Sequence, residues 1–471
     1  MKYYFLLLSV FFISTTNAQQ SSNSENQFEL INLSYVTQFN SFKKSSSNIE
    51  QAKLINSNID ATIVSKPIQI TLKNITPFLA ISCGWNEVNN TLNKNSIIEI
   101  RFSIEGNIWD DWKRLELDEH SSNTKYQFVS QLLFEKKEYK FYQLQITTNL
   151  QLKGDVLQDV FLNFFSPGDG KTSTSINKTN SPSIASRTTS CPCPQPSYIN
   201  RIGWGCPQGA ISYSYTTVTH LIVHHSAGAN TSSNWSSVVL SIWNSHVYTN
   251  GYADIGYNWL IDPNGQLYEG RGGGNNVIGA HFCGYNGGTM GTCMMGTFTS
   301  QNVTDTARKK LVEILSWKTC NSSLNPTATA FHSSSNLTLN TISGHRDGCA
   351  TECPGNMLYP SLPGIRTEVS NYINNVCNVT SLPPIQGVES LSVSPNPTIG
   401  TFVISIKLNS TKAFRYDVIN SDGKIIYSSS TKQTGLLINE KITALQRMPS
   451  GSYIVKISIE KSVVSKTIIK Q

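Results

Sequence analysis

Between Gly168 and Ser197 the chain is built of Ser, Thr, Asn, Lys and Pro, with almost nothing to bury. A hydrophobic core cannot be carried through such a stretch. It reads as a linker, and the chain must fold as separate units on its two sides. A Pro-rich joint at Ser381–Gln386 makes a second break. The 471 residues, 39% of them apolar, exceed one ordinary core and suffice for about two to four. The expected divisions are residues 1–18, 25–167, 168–197 (the linker), 198–378 and 389–471.

The first division is a leader. Lys2 precedes an apolar run from Tyr3 to Ile13, and small and polar residues lead to Thr16-Asn17-Ala18. That pattern predicts a secretory signal peptide cut after Ala18, rather than a buried terminal strand or helix. The run is short for a bilayer and no later stretch approaches about 20 apolar residues, so no transmembrane segment is expected. The formal charge of +7 is mild and suits an anionic partner such as a cell wall. It comes without the Lys/Arg run that tracks nucleic acid, and no nucleic-acid partner is expected. Export also changes how the ten cysteines are read, because outside a reducing cytosol most should pair. Cys191-Pro192-Cys193 is poorly spaced for structural zinc and better suited to a disulfide stapling the linker to the next domain. Connectivity cannot be read from spacing.

Residues 25–167 carry short alternating runs, such as Ile98-Glu99-Ile100-Arg101-Phe102-Ser103-Ile104. Period-two apolarity rich in β-branched and aromatic residues predicts a small β-sandwich. Trp109-Asp110-Asp111-Trp112 follows a turn; the two rings have the shape to stack on sugars, though plugging the core is the commoner use. In residues 198–378, Thr219 to His224 reads as a buried strand, and Trp235 to Tyr248 as a helix with Val238, Val239, Ile242 and Trp243 on one side. Tyr257 to Glu269 reads as a hairpin turning at Pro263-Asn264-Gly265, and Asp305 to Trp317 and Leu362 to Asn375 as further helices. This order predicts an α/β domain, a central mixed sheet with helices on both faces. Residues 389–471 alternate again, between turns at Ser421-Asp422-Gly423 and Pro449-Ser450-Gly451, and predict a second β-sandwich. The fold class expected is therefore multidomain, an α/β domain between two β-sandwiches.

Chemistry concentrates in the middle. His224 ends the buried strand beside His225, and strand alternation sends the two rings to opposite faces. Downstream, Gly344-His345-Arg346-Asp347-Gly348-Cys349-Ala350-Thr351-Glu352-Cys353-Pro354-Gly355 sets His345 before two cysteines in a turn-rich loop. Two imidazoles and a thiolate are good Zn²⁺ ligands, and three protein ligands leave a fourth position for water. A core histidine and a disulfide would give the same spacing.

The neighbouring blocks make the pattern specific. Arg201-Ile202-Gly203-Trp204-Gly205, Leu221 to Ala227, Ile255 to Ile261, Tyr268-Glu269-Gly270-Arg271-Gly272 with Gly279-Ala280-His281, and Gly344 to Gly355 occur in that order. Together they resemble the peptidoglycan recognition proteins and the zinc N-acetylmuramoyl-L-alanine amidases related to phage T7 lysozyme. The resemblance implies zinc ligands at His224, His345 and Cys353, catalytic partners at Tyr257 and Thr351, and muramyl-peptide contacts at His281 and Asn286. It implies hydrolysis of the amide between muramic acid and the stem peptide. Binding-only members typically carry Ser where this chain has Cys353, so an active enzyme is expected ahead of a non-catalytic peptidoglycan-binding protein of the same fold. A third reading, an adhesin with a structural metal, would need a fourth protein ligand, with His225 and Cys349 the nearby candidates.

Two departures stand out. Gly272 to Ile278 is longer than usual and lacks the common Trp, which leaves diaminopimelate against lysine preference open. No acid lies between Met290 and Met295, where another amidase branch uses a Glu. Cys283 and Cys293 flank this region and are candidates to bond to each other. In the tail, Val393-Ser394-Pro395-Asn396-Pro397, Asp422-Gly423-Lys424 and Gly451 to Ile457 resemble the C-terminal sorting domain of the Bacteroidota type IX secretion system. That implies handling by the type IX machinery and release from the cell or attachment at its surface.

Overall fold

The computed structural model describes residues 24–32, 49–54, 60–87, 96–119, 124–149, 157–168, 193–207, 209, 211–377, 388–420, 424–429, 432–433, 436–459 and 462–471. The expected signal segment, residues 169–192 of the expected linker, the Ser381–Gln386 joint and the expected Ser421-Asp422-Gly423 turn lie outside them. Two compact units result, Met1–Ile373 and Asn374–Gln471.

The first unit begins with two antiparallel sheets. One pairs Glu25–Asn32, Leu157–Ser166, Leu79–Glu87 and Phe128–Val129; the other pairs Ile49–Leu54, Asp60–Ser65, Phe141–Asn149, Ile97–Ser103 and Lys113–Arg114. Their alternating residues meet in one core, Leu79, Ile81, Cys83 and Trp85 from the first against Ile98, Ile100, Phe102 and Leu144 from the second. Trp85 is the tryptophan that fills this core. Trp109 and Trp112 stay half-buried outside it, with the Arg101 guanidinium 5.1 and 4.4 Å from their ring centres.

The central sheet runs in the order Leu267–Glu269, Trp259–Ile261, Thr289–Met294, His220–His225, Ile342–Gly344. The first pair is antiparallel and the rest parallel. Adjacent residues of one strand show why helices cover both faces. Leu260 joins the apolar cluster under helix Trp235–Asn244, while Trp259 meets Trp317 of helix Asp305–Asn321 on the other side.

Helix Trp235–Asn244 starts at Asn234, whose side chain accepts the Ser237 N–H at 3.1 Å. The sequence pattern points to one apolar side, yet almost every residue of this helix is buried. The reason is a second cover. Ala80 and Phe165 of the N-terminal sheet, flanked by Phe78, Leu132 and Phe134, share its cluster with Val239, Ile242 and Trp243. A buried polar network crosses the same junction. Asn163 donates to Asn244 at 2.8 Å, Asn244 donates to Asn26 at 2.9 Å, and the Ser82 and Thr249 hydroxyls lie 2.6 Å apart. The Asn163 amide finds these acceptors in one register only, so the network fixes how the two layers dock.

In the second unit, Val388–Ser394, Phe402–Leu408 and Leu437–Ile442 form one sheet, and Ile425–Ser428, Ala413–Ile419, Gly451–Ile459 and Ser462–Lys470 another. Phe402, Ile404 and Ile406 meet Phe414, Val418, Val455 and Ile457 in a single core.

Candidate metal centre

The parallel register sets the site. Val223 lies opposite Gly344, so His224 and His345 leave the carboxyl ends of neighbouring strands side by side. Ligand sites in such sheets form beyond those ends. The two imidazole rings are 4.5 Å apart, centre to centre. Cys353 returns on the loop after the short helical turn His345–Asp347, and Arg346 N–H donates to its carbonyl at 3.0 Å. Its Sγ lies 3.8 Å from His224 Nδ1 and accepts the His225 N–H at 3.3 Å. His224, His345 and Cys353 are all buried, and their donor atoms lie within 4.8 Å of one another. His225 points the other way, its Nδ1 accepting the Phe298 N–H at 3.3 Å.

A chain of hydrogen bonds runs behind His224. With Nδ1 turned to the cluster, Nε2 carries the proton and donates to His281 Nδ1 at 3.0 Å. His281 Nε2 then donates to the Thr289 hydroxyl at 3.3 Å, and that hydroxyl donates to the Asn286 carbonyl at 2.8 Å. Each donor is used once. The chain requires a neutral His281, and burial, helped by the nearby Arg271 charge, lowers its pKa to about 3. Asn286 turns inward too, its Oδ1 accepting the N–H groups of His281 and Phe282 at 2.7 and 2.9 Å. Both ring nitrogens of His281 and the Oδ1 of Asn286 thus have partners within the fold.

Tyr257 packs against His224, with ring centres 5.3 Å apart. Burial, with smaller contributions from Cys293 and Asp118, pushes its phenol well above the usual range, so it remains a donor. Thr351 is half-buried, and its Oγ1 accepts the Cys353 N–H at 3.0 Å.

The expected Cys283–Cys293 bond is not formed. Cys283 pairs with Cys349, across a Cα separation of 6.2 Å. Cys293 sits inside the central strand Thr289–Met294, opposite His224 in register and fully buried as a free thiol. Its burial pushes the thiol far up, and it lies next to Tyr257. The disulfide removes Cys349 as a metal ligand, and His225 faces away. Among the described residues, three donors therefore converge on one point. Cys193, Cys320 and Cys377 are also disulfide-bonded.

Sequence reasoning missed one contributor, Glu119. It comes from before the linker, yet its Oε2 accepts the Glu352 N–H at 2.9 Å. Nothing local to Glu119 foretells that contact.

Residues 214–356 match the N-acetylmuramoyl-L-alanine amidase family, and residues 392–471 match the secretion system C-terminal sorting domain. Peptidoglycan-recognition protein SC1a of Drosophila melanogaster is 32% identical over 149 residues, 31% of this chain and 73% of that protein. The chain belongs to the peptidoglycan recognition protein family. Peptidoglycan recognition protein 1 of Bos indicus is 29% identical over 167 residues, 35% of this chain and 80% of its own length. A solved structure of bumblebee PGRP-SA, 29% identical, covers 36% of this chain and 94% of its own, with a TM-score of 0.31. The family match contains His224, Tyr257, His345 and Cys353. The type IX sorting domain at the end of the chain implies secretion or a place at the cell surface. No helix among the described residues is long and apolar enough to cross a membrane.

Proposed function

We propose that this protein is a secreted, zinc-dependent N-acetylmuramoyl-L-alanine amidase that cleaves the stem peptide from peptidoglycan. The observation that carries the reading is the buried His224, His345 and Cys353 donor set. Two imidazoles and a thiol within a few ångströms match the ligand chemistry of zinc, and with Cys349 in a disulfide the set among the described residues stops at three. Zinc held there would polarise the lactyl carbonyl of muramic acid and lower the pKa of a water nucleophile.

The chain's own residues do the rest. His281 keeps the His224 ring in the tautomer that presents Nδ1. The Tyr257 phenol donates to the oxygen that gains charge as the amide carbonyl becomes tetrahedral. Thr351 faces the same carbonyl from the ligand loop. The displaced alanine amine leaves with a proton. Peptide preference rests with the Gly272–Ile278 segment, where Lys318 Nζ donates to Asn276 Oδ1 at 2.5 Å and ties the segment to the helix beneath.

The same reading makes residues 1–18 a signal peptide, residues 25–167 and 389–471 β-sandwiches, and residues 198–378 the amidase domain. Metal analysis with a mass spectrum of digested sacculi tests the proposal. Bound zinc and free stem peptides are expected, and binding to sacculi without peptide release contradicts it.

A further inference from the structure

One wall of this site comes from the other side of the linker. Leu115, Asp118 and Gln131 donate backbone hydrogen bonds to Ile98, Val129 and Glu116 at 2.8 to 2.9 Å, so the stretch ending at Glu119 is part of the N-terminal sheets. On that stretch, Glu119 Oε2 accepts the Glu352 N–H at 2.9 Å and approaches the Thr351 hydroxyl at 3.4 Å. Thr351 Oγ1 in turn accepts the Cys353 N–H at 3.0 Å. A hydroxyl has one proton to give. With Cys353 donating to its oxygen, that proton is directed at Glu119. The contact is backed by the shared apolar cluster and by the buried Asn163, Asn244 and Asn26 network.

We infer that the N-terminal module is a working part of the hydrolytic site. Glu119 acts as a positioning residue that clamps the Thr351–Cys353 turn and sets the direction of the Thr351 hydroxyl. The inference rests on the amidase reading above. The module is then not a tethered targeting unit, because the ligand loop takes its alignment from it.

The test uses the full chain carrying Glu119→Ala or Glu119→Gln. Glu119 is exposed, so an unchanged Tm is expected for both. Glu119→Ala should lower kcat on a purified muramyl peptide about tenfold with KM held within about twofold. Glu119→Gln, whose amide oxygen still accepts the Glu352 N–H, should stay within about threefold of wild type. A second readout needs no turnover. In metal-free protein, iodoacetamide labelling of Cys353, followed by peptide mass spectrometry, should be several-fold faster in Glu119→Ala alone. A rise in KM alone would put Glu119 on the substrate and overturn the inference. Equal losses in both variants would assign the effect to charge and overturn the clamp. If the wild type releases no stem peptide, the amidase reading fails, and the labelling rates still decide: unchanged rates overturn the clamp.

Discussion

His224 has two ring nitrogens, and the strand that carries it gives them different neighbours. Nδ1 faces Cys353 and His345, while Nε2 faces His281. Loss of the His281 acceptor would free the ring to turn and to exchange tautomers. His281→Ala should therefore weaken zinc binding about 10- to 100-fold, measured by competition with a chromogenic chelator. Unchanged affinity would remove His281 from that role. Lys318 makes a separate point about residues held against their solution preference. It is fully buried at the end of helix Asp305–Asn321, and burial lowers its pKa from 10.5 to about 8. The unfolded chain takes up the proton as pH falls below 10.5, and the folded chain only near 8. Stability is therefore reduced as pH falls through that window, by about 3 kcal/mol at its lower end. Against Lys318→Met, the wild type should gain up to that amount between pH 8 and 10.5 in urea titrations. Parallel pH curves would contradict the assignment.

Among the elements, the turn before strand Trp259–Ile261 depends on Asp254. This fully buried carboxylate accepts Arg201 Nη2 at 3.0 Å, the Ile255 N–H at 2.8 Å and the Gly272 N–H at 3.0 Å. It thereby joins the Arg201 block, the Tyr257 block and the Gly-Arg-Gly block of the sequence. Asp254→Ala leaves the Arg201 charge buried without that partner and should cost about 3 to 5 kcal/mol, read by urea denaturation. A cost below about 1 kcal/mol would contradict this, being the range of a surface pair. The hairpin turning at Pro263-Asn264-Gly265 was legible in the sequence because its signals are local: Gly265 takes φ +80° and the Asp262 carboxylate accepts the Asn264 N–H at 2.9 Å. The His220–His225 strand and helix Asp305–Asn321 were legible for the same reason. The spacing of Val238, Val239, Ile242 and Trp243 shows one apolar side only, because the second cover of helix Trp235–Asn244, Ala80 and Phe165, is remote in sequence. The Cys283–Cys349 bond was hidden likewise, since 66 residues separate its partners and only the folded loops bring them together.

At the scale of the molecule, the linker composition suggested independence where the fold shows joint burial. The N-terminal sheets and the central domain share one apolar cluster and one buried polar network. Asn163→Ala removes the donor to Asn244 and should cost about 1 to 3 kcal/mol. Hydrogen exchange should then quicken together in Ile98–Phe102 and in Leu221–Val223. Loss of protection in one segment alone would show that the two layers open separately. The donor set itself spans residues 224 to 353 and was legible only through the blocks around it, because a histidine pair and a distant cysteine suit a core and a disulfide equally well. The central claim, that His224, His345 and Cys353 hold a hydrolytic zinc, is tested most directly by incubating purified sacculi with wild type and Cys353→Ser. Both proteins are assayed for zinc, and the soluble products for free stem peptides by mass spectrometry. The account predicts zinc and stem peptides with the wild type, and loss of both with Cys353→Ser. Equal peptide release by the two proteins would contradict it.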